Sequence, residues 1–332
     1  MKKILVIQTA FIGDVVLATA LTEKLFQYFP DAKIDMLVRK GNESLLQNNP
    51  HLNQVLIWIK RENKILNLFK LLKQIRKTKY DIIVNLQRFF STGFLTAFSG
   101  ANNKIGFDKN PLSFLYTSRI PHIIGGTNPS HETERNNNLI SAFTDNIPAR
   151  PKLYPSSADF NLVEKYNNNN YITITPSSVW FTKQYPITKW VEFINELPSE
   201  IKIYLLGGKD NINDCDEVKV LSKNNNIEIL AGQLSFLQSA ALMKNAKMNF
   251  VNDSAPLHFA SAMNAPVTAV FCSTIPAFGY TPLSDKSFIV ETKEHLKCRP
   301  CGLHGRKACP LGHFKCAYTI ETQQLINTIY AD

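Results

Sequence analysis

The chain of 332 residues has 44% hydrophobic and 19% charged residues, a balance that excludes a disordered protein and is typical of folded domains. Its length allows two domains, each with its own core. The formal net charge of +10 predicts an anionic partner: a membrane surface, a phosphorylated substrate or nucleic acid. Nucleic acid is the weakest of these because the sequence contains no recognisable nucleic-acid-binding motif.

The first residues, MKKILVIQTAF, form an apolar run too short for a signal peptide, and Gly13 and Asp14 interrupt it. No stretch approaches the roughly 20 apolar residues of a membrane span. We therefore expect a cytoplasmic protein, with peripheral contact at the inner face of the cytoplasmic membrane as an open alternative.

Short apolar strands alternate with helices in the first half of the sequence, which predicts parallel βαβ units. The predicted strands are Ile4–Ile7, Ile34–Val38, Val55–Ile59 and Ile82–Asn85, and the predicted helices are Val15–Phe29 and Asn63–Thr78. Residues 60–79 carry eight Lys or Arg and one Glu. This basic helix predicts attraction to an anionic membrane surface, of about 1 kcal/mol per nearby basic residue.

Residues 146–157 contain prolines and no periodicity, so we interpret them as an interdomain linker. The alternation then resumes, with predicted helices at Thr188–Leu197 and Ser235–Lys244 and predicted strands at Tyr171–Thr175, Ile203–Leu206, Ile227–Leu230, Met248–Val251 and Val267–Phe271. We predict an α/β protein with a Rossmann-like domain at 1–150, a second at 151–318 and a closing C-terminal helix at 319–332. Their parallel sheets are expected to face a central cleft.

Three loops that follow strands carry candidate functional residues, because ligands of open parallel sheets gather at the carboxyl ends of strands. In the first loop, Gly13 lets the backbone approach a ligand, and Asp14 is as well suited to capping the next helix as to chemistry. The loop lacks GxGxxG, which disfavours a dinucleotide-dependent enzyme. The second loop combines hydroxyls with a cation suited to a diphosphate, at Ser177, Ser178, Thr182 and Lys183. In the third, Asp253-Ser254 followed by Pro256 predicts a helix start that can seat a phosphate.

The sequences GDVV at 13–16, WFTK at 180–183 and DSAPLH at 253–258 occur in an order and spacing that resemble family 9 glycosyltransferases, the heptosyltransferases of lipopolysaccharide core assembly. The resemblance covers nearly the whole chain and implies a GT-B fold, with inverting transfer from an ADP-heptose donor to a lipid-linked glycan. It implies that Asp14 is the catalytic base and that Lys183 contacts the diphosphate. It also places donor-binding residues at Asp253, Ser254, His258 and, by a looser match, Asp210, and we count Ala255 in the same helix start as a donor-binding candidate.

The acceptor would bind the first domain, whose HETER segment resembles a family stretch with an acceptor-binding arginine, here Arg135. Arg61 and Arg88 are further acceptor candidates from their positions, as is Gly13. The sequence departs from the family at Ala255, where Gly is common, and at 18–20, where Pro is common, which leaves the donor sugar open. Catalysis is expected to need no metal, because a lysine and a helix N-terminus can meet the leaving-group charge.

Four of the six cysteines fall in one segment, at Cys298, Cys301, Cys309 and Cys316. They predict either a structural zinc site or a compact loop of reduced thiols.

Two alternatives remain: a non-transferase GT-B nucleotide-sugar enzyme, such as an epimerase or hydrolase, and a non-catalytic nucleotide-sugar-binding protein. The joint presence of Asp14, Lys183, Asp253 and His258 argues against the second.

Overall fold

The computed structural model describes residues 1–60, 62–167 and 170–331, and within them the chain forms two compact units, Met1–Tyr154 and Pro155–Asp332. Each unit is built on a six-stranded parallel sheet with helices beside it. A helix long and apolar enough to cross a bilayer does not occur in this part of the chain.

The first unit alternates strands with helices from its first residues. Its strands are β1 (Lys3–Ile7), β2 (Lys33–Arg39), β3 (Gln54–Trp58), β4 (Ile82–Asn85), β5 (Asn103–Phe107) and β6 (Ser118–Ile120). Its helices are α1 (Ile12–Tyr28), α2 (Lys64–Thr78), α3 (Phe90–Ala97) and α4 (Glu132–Asn138). The sheet order is β3-β2-β1-β4-β5-β6.

The second unit repeats this design. Its strands are β7 (Tyr171–Thr175), β8 (Lys202–Leu205), β9 (Ile227–Ile229), β10 (Met248–Asn252), β11 (Val267–Phe271) and β12 (Ser287–Glu291). Its helices are α5 (Ser157–Glu164), α6 (Ile187–Asn195), α7 (Ile212–Leu221), α8 (Phe236–Lys244), α9 (Ala255–Met263), α10 (Lys315–Tyr318) and α11 (Thr322–Ile329). The sheet order, β9-β8-β7-β10-β11-β12, is that of the first sheet with six added to each number.

In each sheet, successive strands are added first on one side of the starting strand and then on the other. This switch point lies between β1 and β4 in the first sheet and between β7 and β10 in the second. The connections on either side of such a switch point leave in opposite directions and open a crevice at the carboxyl ends of the strands, where ligands of this fold class bind. The loops after β1, β7 and β10 are the three that the sequence singled out. The fold therefore places the candidate residues of these three loops at the two switch points.

Strands β5, β6 and β12 are absent from the strands predicted from sequence. β6 has only three residues, and β12 is a half-exposed edge strand. In β5, Gly106 stands where a Cβ would come within 2.5 Å of the Tyr116 ring. Short length, edge position and an internal glycine each weaken the apolar periodicity on which strand prediction depends.

A buried carboxylate, Asp35, stabilises the first unit from within β2. Its oxygens accept hydrogen bonds from the hydroxyl of Tyr80 at 2.5 Å and from the side-chain amides of Gln54 at 2.7 Å and Asn53 at 2.8 Å. Tyr80 is itself buried and follows α2. These bonds join β2, the start of β3 and the end of α2, and they compensate the carboxylate for its lost hydration.

Replacing Tyr80 with Phe is expected to lower the free energy of unfolding by about 1–3 kcal/mol, because a buried carboxylate loses a hydrogen-bond donor while the ring stays packed. Urea unfolding followed by circular dichroism measures the change. The matched control is Tyr318→Phe, since Tyr318 is exposed and its substitution should leave the midpoint unchanged. Equal midpoints for Tyr80→Phe and the unmodified protein would show that this network does not stabilise the unit.

Candidate functional site

The β7–β10 switch point holds an ion pair between Lys183 and Asp253. The Lys183 Nζ lies 2.7 Å from Asp253 Oδ2, and both side chains are largely shielded from solvent. The hydroxyl of Thr274, just beyond β11, donates to the same oxygen at 2.6 Å. The pair therefore joins the loops that follow three adjacent strands, β7, β10 and β11.

The loop after β7 is fixed by contacts on both sides of Lys183. The side chain of Asn252, the last residue of β10, accepts from the Tyr185 N–H at 2.8 Å and donates to the Pro176 carbonyl at 2.8 Å. Thr182 Oγ1 accepts from the hydroxyl of Ser273 at 3.0 Å. These hydrogen bonds hold the loop that carries Lys183 against the ends of β10 and β11.

Helix α9 begins immediately after Asp253 with Ser254 as its N-cap and Ala255 and Pro256 in the first turn. The Ser254 side chain caps no N–H group of the described helix, and its Oγ lies 3.4 Å from the Asn252 carbonyl. His258 is buried one turn further on. An oxyanion bound here would therefore meet both the Lys183 cation and the positive end of a helix dipole.

The remaining predicted donor residues take other positions. Ser177 is buried and donates to Asp214 Oδ2 at 2.7 Å, which ties the loop to α7. The Ser178 carbonyl accepts from the Gln184 side chain at 2.6 Å. Asp210 is exposed in the short 3-10 helix after β8, the strand beside β7. The structure thus gathers Thr182, Lys183 and residues 253–258, with Asp210 one strand away.

The segment that holds the four cysteines packs against the loop of Lys183. The Arg306 N–H donates to Thr182 Oγ1 at 2.7 Å, and a Cβ on Gly305 would come within 2.9 Å of the Lys183 side chain. Gly305 has a φ of +76°, a conformation that favours glycine. The Arg299 guanidinium donates to the carbonyls of Cys272 at 2.8 Å and Thr274 at 2.7 Å. This segment therefore packs against the Lys183 side chain and bonds the backbone of Thr274.

The cysteines themselves line one cavity of about 280 Å³, and each is a free thiol. Across the stretches that the structure describes, no three His, Cys, Asp or Glu side chains converge closely enough to hold a metal ion. The arrangement does not fit a bound ion as it stands. Zinc at Cys298, Cys301, Cys309 and Cys316 stays a prediction, to be tested by elemental analysis with thiol titration.

In the first unit, Asp14 lies in the first turn of α1 beside Gly13. Its Oδ2 accepts a hydrogen bond from the Phe11 N–H at 3.1 Å, and the side chain is half-exposed. The capping role that the sequence allowed is thus present. Since the carboxylate remains accessible, this capping bond is compatible with a chemical role as well.

Two cations that the sequence analysis did not single out flank the Asp14 turn. Lys60 Nζ donates to the Thr9 carbonyl at 2.7 Å, and the Arg39 guanidinium lies over the Phe11 ring at 5.1 Å. Burial, then Arg39 and Lys64, lower the pKa of Lys60 to about 8. Arg39 is the last residue of β2 and Lys60 follows β3. Their positions at the carboxyl ends of strands are the sequence signal that could have identified them as site candidates.

Of the acceptor candidates, Arg61 lies outside the described residues. Arg88 is exposed after β4, and Arg135 is buried in α4, where Glu132 Oε2 accepts from its Nε at 3.0 Å and from its Nη2 at 2.7 Å. An acceptor anion that bound Arg135 would have to compete with Glu132. Both arginines lie close enough to His122 to act on its pKa.

His122 packs on the Phe107 ring, with centroids 4.1 Å apart, and neither ring nitrogen has a hydrogen-bond partner among the described residues. Burial, then Arg88 and Arg135, lower its pKa to about 4. The ring is therefore neutral at pH 7 and avoids adding a positive charge beside two arginines.

Acidification from pH 7 to pH 5 is expected to destabilise the first unit through His122. An unfolded histidine takes up its proton near pH 6.5 and folded His122 only near pH 4, so stability falls as pH drops between these values. We expect His122→Gln to remove about 1–2 kcal/mol of this loss, measured as urea midpoints at both pH values. The control is His295→Gln, at an exposed site. An unchanged pH dependence in His122→Gln would contradict the assignment.

Comparison with known proteins identifies the family of the chain. Residues 68–310, well over half of the chain, match glycosyltransferase family 9 (heptosyltransferase). A curated relative, lipopolysaccharide heptosyltransferase 3 of Escherichia coli, is 28% identical over 282 residues, covering 80% of this chain and 82% of the relative.

Two solved structures share the fold. A glycosyl transferase family 9 protein from Veillonella parvula has a TM-score of 0.85 at 19% identity, covering 99% of this chain and 96% of the other. The ADP-heptose lipopolysaccharide heptosyltransferase II of E. coli has a TM-score of 0.79 at 21% identity, covering 99% and 98%. The predicted GT-B fold with two Rossmann-like domains is confirmed. The chain belongs to glycosyltransferase family 9, and it is a glycosyltransferase.

Proposed function

We propose that this protein transfers heptose, with inversion, from ADP-heptose to the lipid-linked core of a lipopolysaccharide. The observation that carries the proposal is the pairing of Lys183 with the start of α9 at the second switch point, which together can meet the charge of a diphosphate. The names of E. coli relatives support the donor and the acceptor class. In this proposal, the second unit binds the donor and the first unit binds the acceptor.

Asp14 acts as the base in this reaction. Its carboxylate takes the proton from an acceptor hydroxyl while that oxygen forms a bond to the anomeric carbon of heptose. The bond from that carbon to the diphosphate breaks on the opposite face, which inverts the configuration. The positive charge that develops on the sugar ring is lost as the new bond forms.

The departing ADP oxygen gains negative charge, and Lys183 and the N–H groups at the start of α9 stabilise it. When a diphosphate binds, Lys183 exchanges part of its contact with Asp253 for a phosphoryl oxygen. Asp253 stays fixed by Thr274 and is then available to a hydroxyl of the donor. No divalent cation is required for this charge compensation.

On the acceptor side, Lys60 and Arg39 place positive charge beside the Asp14 turn, and Arg88 and Arg135 lie near His122. Lipopolysaccharide cores carry phosphate and carboxylate groups that such cations bind. Lys60, Arg39 and Arg88 therefore support an anionic acceptor, which would bind Arg135 only by exchange with Glu132. The enzyme would work in the cytoplasm at the inner face of the membrane, where a lipid-anchored acceptor is exposed.

Incubation of the protein with ADP-heptose and truncated lipopolysaccharide cores tests the function directly. We expect mass spectrometry to show one added heptose, and the same rate in the presence of EDTA. In a thermal-shift series, ADP should stabilise the protein more than UDP, GDP or CMP do. Release of ADP without a heavier acceptor would instead identify a hydrolase, and loss of transfer in EDTA would contradict metal-independent catalysis.

Asp14→Asn tests the base within the same assay. Asparagine retains an oxygen that can accept from the Phe11 N–H, so the helix start should survive while the proton acceptor is lost. We expect the transfer rate to fall by about 10²–10⁴-fold with the ADP affinity unchanged. The matched control is Asp31→Asn, an exposed carboxylate just after α1. Near-normal turnover in Asp14→Asn would reject Asp14 as the base.

A further inference from the structure

Exposed apolar side chains of the first unit gather on α2, on α3 and on the short 3-10 turn Ser113–Leu115 that follows β5. We call this surface the α2–α3 apolar face, and its principal members are Ile65, Leu66, Phe69, Phe90, Phe98 and Phe114. Phe90 is 59% exposed and Phe114 is 66% exposed. Large apolar side chains at this exposure are unfavourable in water unless a partner covers them.

Ring contacts link several of these side chains. Phe90 and Phe94 of α3 and Phe98, the residue that caps the helix C-terminus, are spaced four residues apart, so they lie on one side of that helix. The Phe94 ring packs against Phe98 at 5.1 Å and edge-on against Phe69 of α2 at 5.5 Å. The turn that carries Phe114 also contacts α3. The aromatic rings therefore join α2 to α3, and the turn of Phe114 lies beside α3.

Positive charge borders this face. The exposed basic residues of α2 are Lys64, Lys70, Lys73, Arg76 and Lys77, and the sequence of α2 contains no Asp or Glu. Arg88 is exposed immediately before the Phe89-Phe90 pair, and Lys109 is exposed shortly before the turn of Phe114. A surface of exposed aromatic and aliphatic side chains with a basic border has the composition of helices that lie in the interface of an anionic bilayer.

We propose that the α2–α3 apolar face inserts into the interfacial region of an anionic phospholipid leaflet. The aromatic and aliphatic side chains enter between the headgroups, while the α2 lysines contact lipid phosphates. The charge selects a lipid surface over a protein partner, because apolar protein interfaces are depleted in lysine. The insertion adds to the electrostatic attraction of the basic helix. This inference rests on the proposed function, which places a lipid-anchored acceptor at the membrane surface.

Co-sedimentation with vesicles tests this inference without any need for catalysis. We expect the protein to pellet with phosphatidylcholine vesicles that contain about 25% phosphatidylglycerol and to remain in solution with pure phosphatidylcholine. The double variant Phe90→Ser/Phe114→Ser should bind the anionic vesicles at least about tenfold more weakly, because two exposed aromatic rings no longer insert. Lys73→Gln/Lys77→Gln should also weaken binding and should reduce its dependence on salt.

The matched control is Val220→Ser/Leu221→Ser, which removes exposed apolar side chains from α7 of the second unit and should leave vesicle binding unchanged. Failure of the unmodified protein to bind anionic vesicles would overturn the proposal. So would full binding by the Phe90/Phe114 variant, or equal loss in the control. Self-association of the unmodified protein that the same variant abolishes would identify a protein interface instead.

Transfer to a water-soluble, delipidated core separates this inference from the proposed function. The Phe90/Phe114 variant should retain that activity, because neither side chain is among the candidate site residues. Vesicle binding without transfer would reject the function and leave the membrane face standing.

Discussion

The 2.7 Å contact between Lys183 and Asp253 joins loops from separate strands of the second sheet into one site. Neither residue could hold this position by itself, because a shielded charge without a partner is strongly unfavourable. Thr274 fixes the carboxylate, and Gly305 lets the four-cysteine segment pack closely against the lysine side chain. The pair is thus a structural link, and in the proposed function Lys183 is also a cation that can exchange its partner for a phosphate.

In the proposed function, the switch point of the first unit has a different requirement, an accessible carboxylate. A carboxylate that accepts a proton must remain accessible, and Asp14 is half-exposed while it caps α1. In the proposed function, the nearby cations Lys60 and Arg39 attract an anionic acceptor. Burial, then Arg39 and Lys64, lower the pKa of Lys60 to about 8, so its charge is sensitive to an anion bound beside it. The proposed separation of acceptor and donor binding therefore uses two units with the same sheet topology.

Much of the fold could be predicted from sequence because the central strands are apolar and flanked by clear loops. The observed bounds of β4, β7 and β11 are those predicted, whereas β6 and β12, which are short or at an edge, carry too weak a pattern. Lys183 and Asp253 could be found since each follows a strand. The proximity of Lys60 to the Asp14 turn could not, because it depends on the strand order β3-β2-β1, which local patterns do not encode.

A crystal structure of the protein with ADP is the most direct test of the central claim, that the second switch point seats the donor diphosphate. We predict Lys183 Nζ at about 3 Å from a phosphoryl oxygen, with the start of α9 directed at the same diphosphate. Asp253 should keep its hydrogen bond from Thr274 in that complex. ADP bound with its phosphates elsewhere, and with Lys183 still held only by Asp253, would contradict the account.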